Sequence, residues 1–522
     1  MSLEKPRAVR VLGALALARR IGRFKALSVI ASSLTLLMVG AAAASNGDLR
    51  LVEAARNQDW PSVRMLLKQR ADVDARSHDG ATALLWAAHW NEVDIADLLI
   101  RAGANVNAAN DLRMTPLSLA CTNGNATLVE RLLKAGADPN TPIATGETPL
   151  MTCASSGSVD AVRMLMARGA DVNAKEPSQN QTALMWAAAE RHPDVIRTLI
   201  EHRADLQART KKGFTALHFA AREGDLESAR LLLAAGVNVN IRSQPDPSEK
   251  GRGPSYDAAV SAGSTPLLVA TVRAQVPLAL FLLEQGADPN IDDAGFTPLH
   301  WAAGTWESGE ANPVFGFVDT MSGIPERPAK LRLVKALLAH KANPNARMTR
   351  RPPGFAGGFT DAAGATPFLL AAATADIEMM RVLLAAGADP TATTNSHTTA
   401  LMAATGMNRT LGESAVTEDQ ALEVVKVLLQ LGADAKAAAT NGENALFGAA
   451  YRGWNTLVQL LVDHGAAVNA VSKAGITPWL AASGLGDRLG GVLYNKDTAA
   501  LLVKLGADPK LGKPCQAQNK CR

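Results

Sequence analysis

A short string built around threonine returns along this chain at a spacing that admits few folds. Aligned on that threonine, the copies stand at Thr82, Thr115, Thr148, Thr182, Thr215, Thr265, Thr297, Thr366 and Thr399, then Asn444 in its place, then Thr477. Most are separated by 33 or 34 residues. A period of that size marks a stack of supersecondary units, each burying its apolar face against its neighbour. A pair of aliphatic residues keeps phase with the threonine, from Leu66 and Leu67 to Leu501 and Leu502. Counting both landmarks gives twelve units, the first without its threonine.

Each part of the unit has a physical task. The threonine is placed to accept a backbone N–H as a helix N-cap, and a proline directly after it has its φ pre-set and lacks an N–H that would go unpaired. Alanine pairs such as Ala187 and Ala188, or Ala302 and Ala303, let a neighbouring helix approach closely. The aliphatic pair belongs to a second helix, as in "VERLLKAGADPN", where Val129, Leu132 and Leu133 share one face. That helix ends at a glycine such as Gly136, and a turn carrying Asp or Asn leads to the next threonine.

The pattern T-P-L-H-x-A-A, helix, G-A-D-x-N resembles the ankyrin repeat and runs over residues 48–510. Thr297 to Ala303 keeps the whole tetrapeptide, whereas Leu85, Ser118, Met151 and Met185 stand where it has histidine. The resemblance implies an all-α repeat solenoid of about twelve stacked helix-turn-helix units with projecting β-hairpin fingers. It also implies that the surface binds other macromolecules, with no chemistry and no cofactor.

The formal charge of +4 resides at one end of the chain. Residues 1–44 hold seven Lys or Arg and one Glu, leaving 46 cationic and 48 anionic side chains, or −2, for the remainder. That balance argues against a nucleic-acid partner, which needs a concentrated basic face. Residues 1–44 read as a signal peptide: Arg19, Arg20, Arg23 and Lys25 precede the apolar "ALSVIASSLTLLMVGAAAA", and Ala42 and Ala44 suit cleavage. The expected location is periplasmic or secreted. If residues 26–44 are not cleaved they are long enough to anchor the scaffold in the inner membrane.

Cysteine usage fits export. Cys515 and Cys521, in a polar tail at 511–522, are spaced to close a small loop in an oxidising compartment, the other reading being two free thiols. Cys121 and Cys153 occupy alanine-like helix positions and read as small buried thiols. No further ligands stand near any of them, so no metal site is expected.

Within the solenoid at 45–510, departures from the period locate insertions near 241–262, 305–330, 347–363, 407–420 and 485–496. Those before Thr265 and Thr366 lengthen fingers, and the others separate the two helices of a unit. Long loops on a rigid array host binding, and interfaces are enriched in aromatic residues and Arg. The expected partner-binding residues are therefore Tyr256, Phe296, Arg351, Phe355 and Phe359 around a recess between fingers, with Trp306 and Trp90 nearer the groove on first helices. Trp86, Trp186 and Trp301 share one position and are expected to pack between units.

No H-E-x-x-H, C-x-x-C, G-x-S-x-G or phosphate-binding glycine loop stands in a suitable context. His218 and His300 belong to the repeat motif and are expected to hydrogen-bond locally. The expectation is a binding scaffold with a protein partner and no enzymatic activity; a tethered form of it, or a stabilising accessory of an envelope enzyme, is the alternative.

Overall fold

Threonine sets where each first helix begins. In the computed structural model, which describes residues 48–244, 262–304, 326–350, 362–407, 416–484 and 494–513, Thr82 Oγ1 accepts the Leu85 N–H at 3.3 Å. Thr148, Thr182, Thr265, Thr366, Thr399 and Thr477 cap their helices in the same way. Asn444 does so too, accepting from Leu446 N–H at 3.1 Å. Prolines 116, 149, 266, 298, 367 and 478 take the first helical position.

Twenty-four helices are present among the described residues. They alternate as first and second helix of a unit, from Arg50–Arg56 with Trp60–Lys68 to Pro478–Ala482 with Lys496–Lys504. First helices pack on the first helices of adjacent units, and second on second. A leucine of every aliphatic pair is buried, Leu66 and Leu502 at the ends included. Each contributes about 1.5 to 3 kcal/mol by leaving water.

The second helices end as their glycines require. Gly136 adopts φ +92°, open to glycine without a steric penalty. The Asn four residues after such a glycine ties one unit to the next: Asn107, after Gly103, donates through Nδ2 to Gly136 O at 3.1 Å, and Asp138 N–H donates back to Asn107 Oδ1 at 2.8 Å. Asn140 repeats both bonds, to Gly169 O and from Asp171 N–H. The turn residue of the motif thus serves as an inter-unit clamp.

Two expectations are corrected here. The fingers are not β-hairpins among the described residues; they are five-residue turns such as Ser77 to Ala81, closed by Ser77 N–H to Ala81 O at 2.8 Å and Gly80 N–H to Ser77 O at 2.9 Å. One isolated antiparallel bridge, Ala438 with Asn444, is the extent of strand pairing there. The turns are too short to build a ladder.

The second correction concerns Cys121 and Cys153, which are joined as a disulfide instead of standing as two thiols. Both are fully buried, and their Cα atoms are 4.4 Å apart, at the short end of the range a disulfide spans. Cys515, Cys521 and the whole of 1–44 lie outside the described residues. So do most of the insertions, although part of two is helical: second helices Arg327–Ala339 and Glu418–Gln430 each have 13 residues where most have nine.

Candidate partner-binding face

The first helices present a row of side chains four residues after each capping threonine. In the N-terminal units Trp86, Leu119, Thr152 and Trp186 are only partly buried at that position. Further along, Phe219, Val269, Trp301, Leu370 and Ala403 are buried. The face is therefore open at one end of the array and closed in the middle.

The open part is aromatic and partly organised. Trp90 stacks on Trp86 with ring centroids 6.4 Å apart, and His89 meets both rings edge-on. Trp90 Nε1 donates to Arg56 O at 3.2 Å, and the Arg56 guanidinium lies 5.8 Å from the Trp86 ring centroid. These contacts fix both indoles, so little side-chain entropy remains to be lost on binding. Beneath them Trp86 Nε1 is buried with no acceptor among the described residues. Trp90 sits at the C-cap of the first helix Ala83–His89, and Trp86 and Trp186 pack against the main apolar core while remaining only partly buried.

Phe296 does not line a recess. It is fully buried and lies against Trp301, centroids 6.0 Å apart, inside a second apolar core with Leu268, Met348, Ala365 and Leu370. The residue directly before the capping position is buried in seven of eleven units, Ala81, Glu147, Ser264, Phe296, Ala365, Thr398 and Ile476, and partly buried in the others, Met114, Gln181, Phe214 and Glu443. An aromatic side chain there gains more by burial than it would as a finger tip. Tyr256, Trp306, Arg351, Phe355 and Phe359 lie outside the described residues.

The two motif histidines are closed to solvent. Thr215 N–H donates to His218 Nδ1 at 3.2 Å, so the ring proton sits on Nε2, which bonds Ser264 O of the next unit at 3.1 Å. His300 repeats this with Thr297 N–H at 3.1 Å and Ala346 O at 2.9 Å. Burial pushes both pKa values down to about 4, so both rings are neutral staples between units. Among the described residues no group of His, Cys, Asp and Glu is placed to hold a metal ion, and no helix is long and apolar enough to cross a membrane.

Comparison with known proteins returns the same repeat throughout. A family model described as "Ankyrin repeats (3 copies)" matches residues 31–110, 51–143, 103–176, 150–243 and 413–512. A model described as "Ankyrin repeat" matches 262–294, 294–349 and 363–395. The chain is similar to protein PhlB of Serratia liquefaciens, 37% identical over 123 residues, covering 23% of this chain and 47% of PhlB. It is 34% identical over 136 residues to neurogenic locus notch homolog protein 1 of Danio rerio, covering 22% of this chain and 6% of that protein. To human ankyrin repeat and SOCS box protein 16 it is 34% identical over 130 residues, covering 24% and 25% of the two chains. The chain thus spans less than half the length of each of these relatives. Among solved structures, the human ASB11 ankyrin repeat domain aligns at 24% identity with a TM-score of 0.38, covering 46% of this chain and 98% of that one.

Proposed function

Since the chain belongs to the ankyrin-repeat family, whose arrays mediate protein–protein interaction, we propose that it is a non-enzymatic scaffold of the cell envelope that engages a protein partner through the first-helix face of its N-terminal units. The observation that carries this reading is the partly exposed aromatic set Trp86, Trp90 and Trp186 on that face, the first two held in place by their stacking and by Arg56. Tryptophans so fixed are common anchors of affinity. The buried middle of the same face leaves less apolar surface for a partner there.

Export is supported by two independent features. The basic and then apolar character of residues 1–44 suits a signal peptide. The Cys121 to Cys153 disulfide suits an oxidising compartment, where such bonds persist. Mass spectrometry of the mature N-terminus tests it: a chain beginning near Ser45 in the envelope fraction is expected, and a cytosolic protein retaining Met1 would overturn it.

The test of the scaffold is affinity capture from an envelope fraction with the wild-type chain and with Trp90→Ala/Trp186→Ala. A partner retained by the first and lost by the second, with the fold unchanged by circular dichroism, is the expected result. Equal capture by both would move the site elsewhere.

A further inference from the structure

We infer that the array carries a built-in joint at residues 434–467, where the asparagine clamp is missing on both sides of one unit, and that the stack opens there along its clamp edge. The inference goes beyond the scaffold reading and stands whether or not the tryptophan face binds.

The clamp described for Asn107 and Asn140 recurs along most of the chain. Asn173 Oδ1 accepts Asp205 N–H at 2.7 Å, Asn240 Oδ1 accepts Asp288 N–H at 2.8 Å, Asn345 Oδ1 accepts Asp389 N–H at 2.7 Å, and Asn469 Oδ1 accepts Asp508 N–H at 2.9 Å. Between the last two, Thr391 and Lys436 occupy the asparagine's place, in "GADPTA" and "GADAKA". Neither holds the following unit: among the described residues the N–H groups of Asp434 and Ala467 have no acceptor.

The side chain alone is the cause, because the local turn is unchanged. Thr391 N–H donates to Asp389 Oδ1 at 2.8 Å and Lys436 N–H to Asp434 Oδ1 at 2.8 Å, as Asn140 N–H does to Asp138 Oδ1 at 2.9 Å. A clamp must donate to one unit's carbonyl and accept from its N–H, which an asparagine amide can do. The Thr391 hydroxyl is shorter and is spent on Asp389 Oδ1 at 2.7 Å. Lys436 donates but cannot accept, and its stem lies over Gly465.

Among the described residues Gln207 makes no clamp either, yet its junction is held by Arg209 Nη1 to Arg242 O at 2.8 Å and by His218 Nε2 to Ser264 O at 3.1 Å. The units capped by Thr399 and Asn444 hold Met402 and Phe447 in the histidine's place, so no such staple replaces their lost bonds. Ties remain at the fingers, Thr440 N–H to Ser396 O at 2.8 Å and Lys473 N–H to Asn441 O at 2.7 Å. They remain also at the loops between helices, where Glu418 Oε1 accepts Thr456 N–H at 2.7 Å and Asn495 Nδ2 donates to Tyr451 O at 2.9 Å. Each junction is thus held at two corners and open at the third, as a hinge is. In a stack stabilised by nearest-neighbour interfaces, such a unit is where sub-global opening costs least. The stretch from Asp74 to Asp205, clamped without a gap and cross-linked by the disulfide, is the rigid part.

The test is hydrogen–deuterium exchange read by mass spectrometry on the purified full chain. It compares helix Asn455–Asp463 with helix Pro193–Glu201, its counterpart between the clamps of Asn140 and Asn173. In the wild type the first helix is expected to exchange at least tenfold faster than the second. Thr391→Asn/Lys436→Asn should supply both clamps and slow Asn455–Asp463 by at least fivefold, leaving Pro193–Glu201 as it was. Asn140→Thr/Asn173→Lys should do the reverse, speeding Pro193–Glu201 by about tenfold while circular dichroism shows the fold retained. Equal exchange of the two helices in the wild type would overturn the inference. Fraying inward from the end of the array would leave Asn455–Asp463 as fast in Thr391→Asn/Lys436→Asn as in the wild type, and that result overturns it too.

Discussion

Cys121 and Cys153 are bonded across the interface between the first helices Pro116–Thr122 and Pro149–Ser156, at two slots that most other units fill with alanine. Cys121 takes the second alanine slot of its unit and Cys153 the first slot of the next, where Ala87, Ala88, Ala187 and Ala188 are likewise fully buried. Close helix approach, which the alanines permit, brings the two sulfurs together. The bond lies between the units that carry Trp86 and Trp186, and so tethers the open face.

The bond closes a loop across 32 residues, for which chain entropy gives roughly 3 to 4 kcal/mol. Cys121→Ala/Cys153→Ala places the residue of the other units at both slots and should fold, with its denaturant midpoint lowered by about that energy. Non-reducing peptide mapping of the wild type should recover one linked peptide pair containing both cysteines. Recovery of two alkylated thiols from the native protein would remove the bond from the account.

Phe296→Ala should behave as a core truncation and cost roughly 3 to 5 kcal/mol, as large aromatic truncations do. Partner affinity, measured at a temperature where the variant is folded, should stay within about twofold. Unchanged thermal stability would restore Phe296 to the surface.

Stability should fall in acid through the buried histidines. His218 and His300 have folded pKa values of about 4 against about 6.5 unfolded, so the unfolded chain binds protons first. Their stabilisation is complete above pH 6.5, declines as pH drops toward 4 and levels off below it, by about 3 kcal/mol for each ring. Urea midpoints at pH 7 and 4.5 should converge in His218→Gln/His300→Gln. An equally steep decline in that variant would assign the effect to other groups.

Much of the fold is legible in the sequence because each feature acts locally. Threonine caps, prolines at the first turn, the buried leucine of each pair and the histidine bond to its own threonine need no knowledge of distant residues. What was not legible depends on contacts between units. Phe296 turns inward into a cluster with Leu268 of the preceding unit and Met348 and Ala365 of the following turn, contacts that composition does not reveal. The disulfide was readable in principle: one cysteine in the second alanine slot and another in the first slot of the following unit is a pairing signal, seen once the two slots are set side by side. The place of Trp90 at the end of a first helix follows from its position in the repeat; its anchoring to Arg56 O does not, since Arg56 belongs to the unit without a threonine.

Leu232→Ala and Leu283→Ala each remove a fully buried second-helix side chain and should cost roughly 2 to 5 kcal/mol. In a stack of units that loss is expected to split unfolding into stages, visible as two transitions in calorimetry. A single transition at the wild-type midpoint for both variants would contradict the assigned core.

The central claim is that the N-terminal first-helix face is the partner surface, and a dissociation constant tests it most directly. With the captured partner in hand, its affinity should be measured for the wild-type chain, for Trp90→Ala/Trp186→Ala and for the control Met65→Ala, whose side chain is exposed on a second helix. Loss of tenfold or more in the tryptophan variant, with the control within twofold of wild type and both variants folded, is the predicted result. Wild-type affinity in the tryptophan variant would contradict it.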